Sequence, residues 1–224
     1  MFVADRMTKN PVTISPETSV SHAHELMRNK KFRRLPVVEG EKLVGWVTER
    51  DLREVSPSSA TTLSVYEMNY LLSKLKIADV MQKDLVTVPV DAAVEEAALL
   101  MYRHKIGGMP VLDGNQHLVG IITETDIFRA FLDMMDVVHG ATRFTLQSED
   151  KIGVFAALSG LFARKGLSIS SVTNYPGPDG SAYIVVRVPG DHDTAKEAVP
   201  DIELLGLKII AINQLPPMEL QGKG

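Results

Sequence analysis

The sequence predicts an α+β protein that contains two copies of a β-α-β-β-α repeat and a C-terminal unit with the ferredoxin-like order β-α-β-β-α-β. Three observations support this prediction. A segment of about fifty residues occurs twice along the chain. Within each copy, apolar residues recur at the spacings of helices and strands. The last third of the chain lacks the repeat and has a different order of predicted elements.

The duplication is seen when the segment that begins at Val3 is aligned with the segment that begins at Ile77. Met7 then falls on Met81, and the match continues with a single one-residue insertion in a later turn. Such a long match with one gap indicates an internal repeat and predicts two similar structural units.

Each copy is predicted to begin with a short apolar strand, residues 12–14 or 86–88, and to continue into a helix. In the first copy, Ser15 is the expected N-cap of this helix and Pro16 its first residue. Two strands joined by a turn follow, and a second helix ends the copy. The first helix should bury one face, comprising Val20, Ala23, His24 and Met27 in the first copy and Val94, Ala97, Ala98 and Met101 in the second.

The C-terminal unit is predicted to begin with the strand "TRFTLQ" and a helix that turns Phe155, Leu158 and Phe162 inward and stops at Gly166. The strands "LSISSVTNY" and "SAYIVVRV", a short helix that Pro200 limits and the strand "LKIIAIN" follow. The predicted segments are a first repeat (1–55), a linker with an amphipathic helix (56–76), a second repeat (77–136), the C-terminal unit (141–214) and a flexible tail (215–224).

The composition narrows the possible functions. The net charge of −4 and the pI of about 5.9 give no general attraction to nucleic acid or to an anionic membrane. No apolar run is long enough for a membrane span, and the first residues do not resemble a secretory signal. The absence of cysteine excludes disulfides, thiolate catalysis and cysteine-based metal sites, and we expect a cytoplasmic protein.

Both copies contain the pattern Gly-x-x-Thr-x-x-Asp where the last strand meets the last helix. The residues are Gly45, Thr48 and Asp51 in the first copy and Gly120, Thr123 and Asp126 in the second. One interpretation is that the Thr caps the helix and the Asp adds a favourable charge to its first turn. The other is a nucleotide site, because Gly permits close approach, the amides at a helix start can hold phosphate and a carboxylate can accept both ribose hydroxyls. The pattern alone leaves both interpretations open.

From Val3 to about Phe131, with these motifs and the segments "RRLPVV" and "GGMPVL", the chain resembles a tandem pair of CBS domains. The resemblance implies one module with two clefts, which in this family often bind AMP, ADP, ATP, S-adenosylmethionine or NAD. It implies that each Asp holds a ribose and each Thr lies beside ribose or phosphate. The other ligand-binding residues that it implies are Thr13, Ile14, Leu35 and Pro36 in the first copy and Thr87, Val88, Met109 and Pro110 in the second.

Cations for the phosphates are available just before the central strand of each copy. The preferred candidates are Arg33, His104 and Lys105, although a solvated basic face at a helix end is an equally simple interpretation. A nucleic-acid site is less favoured because the basic run is short. Pairs such as Glu49 with Asp51 could accompany Mg²⁺ on a nucleotide, but no metal site of the protein itself is predicted.

The C-terminal unit resembles an ACT domain, through the stretch "SEDKIGVFAALSGLFARKGLSISSV". The family's ligand loop would correspond to Asp150, Ile152 and Gly153. Ile152 stands where many amino-acid-binding members have Pro, and Ser168 where they have Asn, so amino-acid binding does not follow and dimerisation is an alternative role. The combination of units resembles the acetoin-utilisation AcuB-type proteins, which implies a regulatory or accessory role in small-carbon metabolism.

We therefore predict a non-catalytic, homodimeric regulatory protein that senses an adenosine-containing ligand and acts on a protein partner that the sequence does not identify. No catalytic residue is predicted, because the six histidines are scattered and the HExxH, GxSxG and GxxxxGK[ST] motifs are absent. An assembly protein with vestigial clefts is the alternative, and a Mg-nucleotide-dependent enzyme is a more remote one.

Overall fold

The computed structural model describes residues 1–55, 64–149, 151–177 and 180–217 of the chain. The chain forms two compact units, Met1–Phe128 and Arg129–Gly224. Part of the predicted linker (56–63) and most of the predicted tail (218–224) lie outside the described residues. None of the helices in the described ranges is long and apolar enough to cross a membrane.

The first unit contains both repeats up to Phe128, which lies within the last helix of the second repeat. The first repeat consists of α1 (Val3–Arg6), β1 (Thr8–Lys9), α2 (Val20–Lys30), β2 (Arg34–Glu39), β3 (Lys42–Thr48) and α3 (Glu49–Glu54), and α4 (Val65–Lys74) follows it. The second repeat consists of α5 (Ile77–Val80), β4 (Val88–Pro89), α6 (Val94–His104), β5 (Gly108–Leu112), β6 (Leu118–Thr123) and α7 (Glu124–Met134). In the first repeat only Ile14 of the predicted strand 12–14 pairs, in a parallel bridge with Val37.

The two repeats exchange their first segments. Strand β1 of the first repeat pairs with β6 of the second, in a sheet of order β1-β6-β5-β4. In return, Gln82 of the second repeat forms an antiparallel bridge with Trp46 in the β2-β3 sheet of the first. Ile77 packs into the core of the first repeat, where it joins Leu35, Val47 and Leu52. Each repeat is thus completed by the other, an arrangement that the linear repeat pattern did not predict.

The motif glycines are the contact points of this exchange. A Cβ atom added at Gly45 would overlap the sulfur of Met81 and lie 2.9 Å from its Cγ. A Cβ at Gly120 would overlap the sulfur of Met7 in the same way. Close approach is therefore the reason for both glycines, and the group that approaches is a methionine from the other repeat.

Helix α2 begins four residues later than predicted. Its N-cap is Ser19, whose hydroxyl accepts a hydrogen bond from the His22 amide at 3.3 Å, whereas Ser15 lies in a preceding turn closed by Thr18. The prediction of Ser15 as the cap was wrong because a second Ser, equally suited, stands nearer the apolar face. The apolar face is as predicted except at His24, which is exposed.

The second unit has the predicted ferredoxin-like order. It consists of β7 (Ala141–Glu149), α8 (Val154–Arg164), β8 (Ser171–Pro176), β9 (Ser181–Pro189), α9 (His192–Lys196), α10 (Val199–Leu204) and β10 (Lys208–Leu215). The antiparallel sheet has the order β10-β7-β9-β8. Leu158 and Phe162 enter the core, but Phe155 is 46% exposed, and Leu161 takes the inward position. Pro200 was predicted to end the short helix that precedes it, but it lies in the first turn of α10.

The boundary between the units falls inside α7, earlier than the predicted end of the second repeat at residue 136. The residues after the boundary belong to the second unit because they bond to it. The Ser171 hydroxyl donates to the Met135 carbonyl at 2.9 Å. A hydrogen bond from Ser170, opposed by desolvation and aided by His139, lowers the pKa of Asp136.

Candidate functional site

The first unit contains a cleft of about 570 Å³ that both repeats line. The first repeat contributes the end of β3 and the start of α3, which carry Thr48 and Asp51. The second repeat contributes the segments 82–86 and 105–110. Residues of both repeats line the cleft because the exchange of first segments brings the segment after α5 beside β3.

Asp51 is both a helix cap and a lining residue of the cleft. Its Oδ2 accepts hydrogen bonds from the Thr48 amide at 2.7 Å and the Thr48 hydroxyl at 2.8 Å, while the Asp51 amide donates to the Thr48 hydroxyl at 3.3 Å. This is a reciprocal capping box, so the capping interpretation of the motif is correct. The Gln82 side-chain amide also reaches Oδ1 at 3.0 Å. A carboxylate has about four acceptor positions, so the cap leaves Asp51 able to accept from a ligand.

The cleft combines five cations with four carboxylates, and two of the cations are neutralised locally. Arg50 pairs with Glu54 at 2.8 Å, and Arg53 pairs with Glu49 at 2.7 Å, both along α3. Arg33 and Lys105 have no carboxylate within ion-pair distance in the described part of the chain. The remaining positive charge of the cleft is therefore carried by Arg33, Lys105 and Arg34.

Arg34 crosses from the first repeat to the second. A Cβ atom at Gly107 would overlap its guanidinium group, and one at Gly108 would lie 3.4 Å from its Cδ. Burial, followed by the charge of Arg33, lowers the pKa of Arg34, and the Glu124 carboxylate opposes both effects. The group stays charged because an arginine begins so far above neutrality. A side chain at Gly107 would therefore require the Arg34 guanidinium to move, whereas at Gly108 the closest approach is to the Ile122 carbonyl oxygen, at 3.1 Å.

The structure brings together five of the predicted ligand-binding residues in this cleft: Arg33, Thr48, Asp51, Lys105 and Pro110. The others do not line it. Ile14, Leu35, Val88 and Met109 are core residues with at most 7% exposure, and Pro36 is also buried. Thr13 and His104 are exposed elsewhere, and Thr87 is partly buried. The sequence did not show which residues share a cleft, and the exchange places Asp51 opposite residues of the second repeat.

The second motif is more enclosed than the first. The Thr123 amide and hydroxyl donate to Asp126 Oδ2 at 3.0 and 2.6 Å, as in the first copy. Asp126 is, however, only 6% exposed, whereas Asp51 lines an open cleft. The two motifs therefore share a capping geometry and differ in access to solvent.

Several lining residues were not predicted as ligand contacts. Trp46, Gln82 and Val86 lie in the cleft, and the exchange brings the last two beside β3. Nothing in the linear pattern distinguishes Gln82, because its position in the first repeat is Thr8. In the described ranges, no group of three or more His, Asp or Glu side chains is arranged to hold a metal ion.

The predicted loop of the second unit is only partly described. Asp150 lies outside the described residues. Ile152 is fully exposed, and Gly153 caps α8 with φ of 92°, a conformation that favours glycine.

Comparison with known proteins identifies the class. The family model for the CBS domain matches residues 3–58 and 77–133, half of the chain. The chain belongs to the CBS domain family.

Three relatives show how far the similarity extends. The chain is 37% identical to an inosine-5'-monophosphate dehydrogenase of Thermoplasma acidophilum over 51% of this chain and 20% of that protein. It is similar to CBSX2 solved in complex with AMP (34% identity, 58% of this chain, 96% of that chain, TM-score 0.49). It is also similar to a proposed acetoin utilization protein (AcuB) from Vibrio cholerae (30% identity, 61% of this chain, 94% of that chain, TM-score 0.50). The chain spans less than half the length of the dehydrogenases that it matches.

Proposed function

We propose that the paired repeats form a regulatory module that binds an adenosine-containing ligand in the cleft at Asp51. The observation that carries this proposal is the combination, in one open cleft, of a preorganised carboxylate with unneutralised cations. A ribose offers two hydroxyl donors and a phosphate offers anionic oxygens, so a nucleotide complements both features.

The carboxylate is suited to a ribose because the capping box fixes its orientation. Thr48 holds Oδ2 through two hydrogen bonds, so Asp51 loses little side-chain freedom when a ligand binds. Oδ1 points to the side of the cleft that the second repeat closes with Gln82. Trp46, Val86 and Pro110 supply apolar surface in the same cleft, which suits the faces of an adenine ring.

The phosphate end of the ligand is assigned to Arg33 and Lys105. Both are exposed side chains that line the cleft, and each comes from a different repeat. A phosphate held between them therefore contacts both repeats. Binding favours one arrangement of the repeats, and a population shift of this kind is the proposed signal.

A second, less accessible site is proposed at Asp126. Val12 and Pro36, which align with Val86 and Pro110, are assigned the corresponding roles at this second site. Because Asp126 is 6% exposed, we expect a ligand to enter the Asp51 cleft first. One bound ligand per chain is the expected stoichiometry at moderate concentrations.

The roles of the second unit and of the whole protein extend the proposal. We assign the ferredoxin-like unit to the ACT class and to homodimerisation, or to a second small-molecule input, on its element order and sheet order. The similarity to the AcuB structure favours a place in small-carbon metabolism, with an adenosine ligand as the regulator. A non-catalytic role, a protein partner that receives the signal and a cytoplasmic location are parts of the same proposal.

Isothermal titration calorimetry with AMP, ATP, S-adenosylmethionine and NAD tests the site. We expect at least one of these ligands to bind, and Asp51→Asn to weaken its binding at least tenfold while preserving most of the cap. Asp126→Asn is the matched control, because the same change in the second motif should leave the first binding event intact. No binding of any of the four ligands at millimolar concentration, or equal binding by Asp51→Asn, contradicts the proposal.

A further inference from the structure

We propose that the side-chain amide of Gln82 is an internal competitor for the ligand at Asp51, so that ribose binding must release Gln82 from the carboxylate. This inference rests on the proposed function, since it concerns the same cleft. It assigns a regulatory role to a residue that the motif does not include.

The competition follows from the hydrogen bonds at Asp51. The Gln82 Nε2 lies 3.0 Å from Oδ1 and 3.1 Å from Oδ2, so one amide group bridges both carboxylate oxygens. Oδ2 already accepts two hydrogen bonds from Thr48. A ribose diol that approaches from the cleft would therefore bond chiefly to Oδ1, which Gln82 occupies. The Gln82 carboxamide and the ribose diol therefore compete for the same acceptor positions on Asp51.

The release of Gln82 needs no backbone change. The backbone amide of Gln82 donates to the backbone carbonyl of Trp46 at 2.8 Å, and the backbone carbonyl of Gln82 accepts from the backbone amide of Trp46 at 3.0 Å. These bonds hold the backbone in the bridge, while the side chain is exposed. A released carboxamide can bond to water, so the exchange leaves no buried donor unsatisfied.

The hydrogen bond also crosses between repeats. Asp51 belongs to the first repeat and Gln82 to the second. The ligand therefore replaces a direct hydrogen bond between the repeats with contacts from the ligand to each repeat. The apparent dissociation constant then exceeds the intrinsic one by the reciprocal of the fraction of molecules in which Asp51 is open. Gln82 thereby sets the ligand concentration at which the module responds.

The two repeats differ at the position of Gln82. The residue equivalent to Gln82 in the first repeat is Thr8, which lies in β1 opposite Ile121 of β6. A threonine has no carboxamide, so the residue at this position cannot bridge the Asp126 carboxylate as Gln82 bridges that of Asp51. The two repeats therefore differ at this position, although both carry the Gly-x-x-Thr-x-x-Asp motif.

The test is calorimetric titration of the full chain with AMP, comparing Gln82→Met with the wild type. Met keeps the length of the side chain and removes both amide donors. We expect the dissociation constant to fall about three- to tenfold, as the closed state is lost. Lys83→Ala is the control, since this exposed neighbour does not line the cleft and should bind AMP as the wild type does. Gln82→Ala serves as a second variant that also removes the donors.

Deoxy nucleotides identify the competing groups. For 2'-deoxy-AMP and 3'-deoxy-AMP, the decrease in dissociation constant caused by Gln82→Met should be smaller, because each ligand lacks one of the two hydroxyls that would donate to Asp51. If both Gln82 variants bind AMP as tightly as the wild type or more weakly, while Asp51→Asn loses binding, the competitor role is wrong and the proposed site stands. If neither the wild type nor the Gln82 variants bind any of the four ligands, the proposed function itself fails.

Discussion

Thr48 and Asp51 serve the fold and the proposed site with the same hydrogen bonds. The reciprocal bonds of the capping box satisfy amides at the start of α3 and hold the carboxylate at the cleft wall. A motif of this kind cannot be assigned to stability or to binding by sequence alone. The distinction rests on what faces the second carboxylate oxygen, and in this protein that is Gln82.

The cap itself should contribute measurable stability. We expect Thr48→Ala to lower the free energy of unfolding by about 1 kcal/mol, because N-cap substitutions cost 0.5–2 kcal/mol. Chemical denaturation of the first unit measures this loss. Thr48→Ser keeps the hydroxyl and should restore most of the stability, and a loss as large as that of Thr48→Ala would contradict a capping role.

The assignment of the cations makes a separate prediction at the residue scale. Arg33→Ala and Lys105→Ala should each weaken AMP binding about tenfold, because a charge-assisted hydrogen bond at an accessible site is worth roughly 1.5 kcal/mol. Adenosine, which has no phosphate, should bind these variants as it binds the wild type. Lys30→Ala is the matched control, since Lys30 belongs to the same basic run and does not line the cleft. Equal losses for AMP and adenosine would contradict the assignment.

At the level of elements, the exchange of first segments is the feature that builds the cleft. It places the 82–86 segment beside β3 and seats Met81 against Gly45. The sequence did predict that each glycine permits a close approach. It could not show which group approaches, because that depends on a pairing between segments some 35 residues apart.

This contact predicts a specific pattern of stabilities. Gly45→Ala should destabilise the first unit by about 1–3 kcal/mol, because its Cβ overlaps the Met81 side chain. In Gly45→Ala/Met81→Ala the overlap is removed, so the double variant should lose less stability than the two single variants added together. Chemical denaturation of the four proteins gives the coupling. Additive losses would show that Gly45 is needed for another reason.

The short elements also show where sequence patterns are limited. The internal repeat, the ferredoxin-like order and the stop at Gly166 follow from local spacing and were predicted. The start of α2 was not predicted, because Ser15 and Ser19 are both suitable caps. The division of the helix near Pro200 was not predicted either, because a proline suits the first turn of a helix as well as the position after its end. Five of the predicted site residues line the cleft, and the spacing within each repeat could not show which residues of the two repeats face one another across it.

At the scale of the whole molecule, the two compact units predict a selective effect of the ligand. A ligand at one hundred times its dissociation constant should stabilise the unit that binds it by about 2.7 kcal/mol. In differential scanning calorimetry, AMP should therefore raise the unfolding temperature of the Met1–Phe128 unit. The Asp51→Asn variant should lack this shift. An equal shift in that variant would place the ligand elsewhere.

The central claim is that the Asp51 cleft holds an adenosine ligand by its ribose and phosphate. The most direct measurement is a crystal structure of the full chain with AMP at a saturating concentration. We predict the ribose hydroxyls within hydrogen-bond distance of Asp51, the phosphate beside Arg33 and Lys105, and Gln82 turned away from the carboxylate. AMP bound outside this cleft, or a cleft in which Asp51 faces no part of the ligand, would contradict the account.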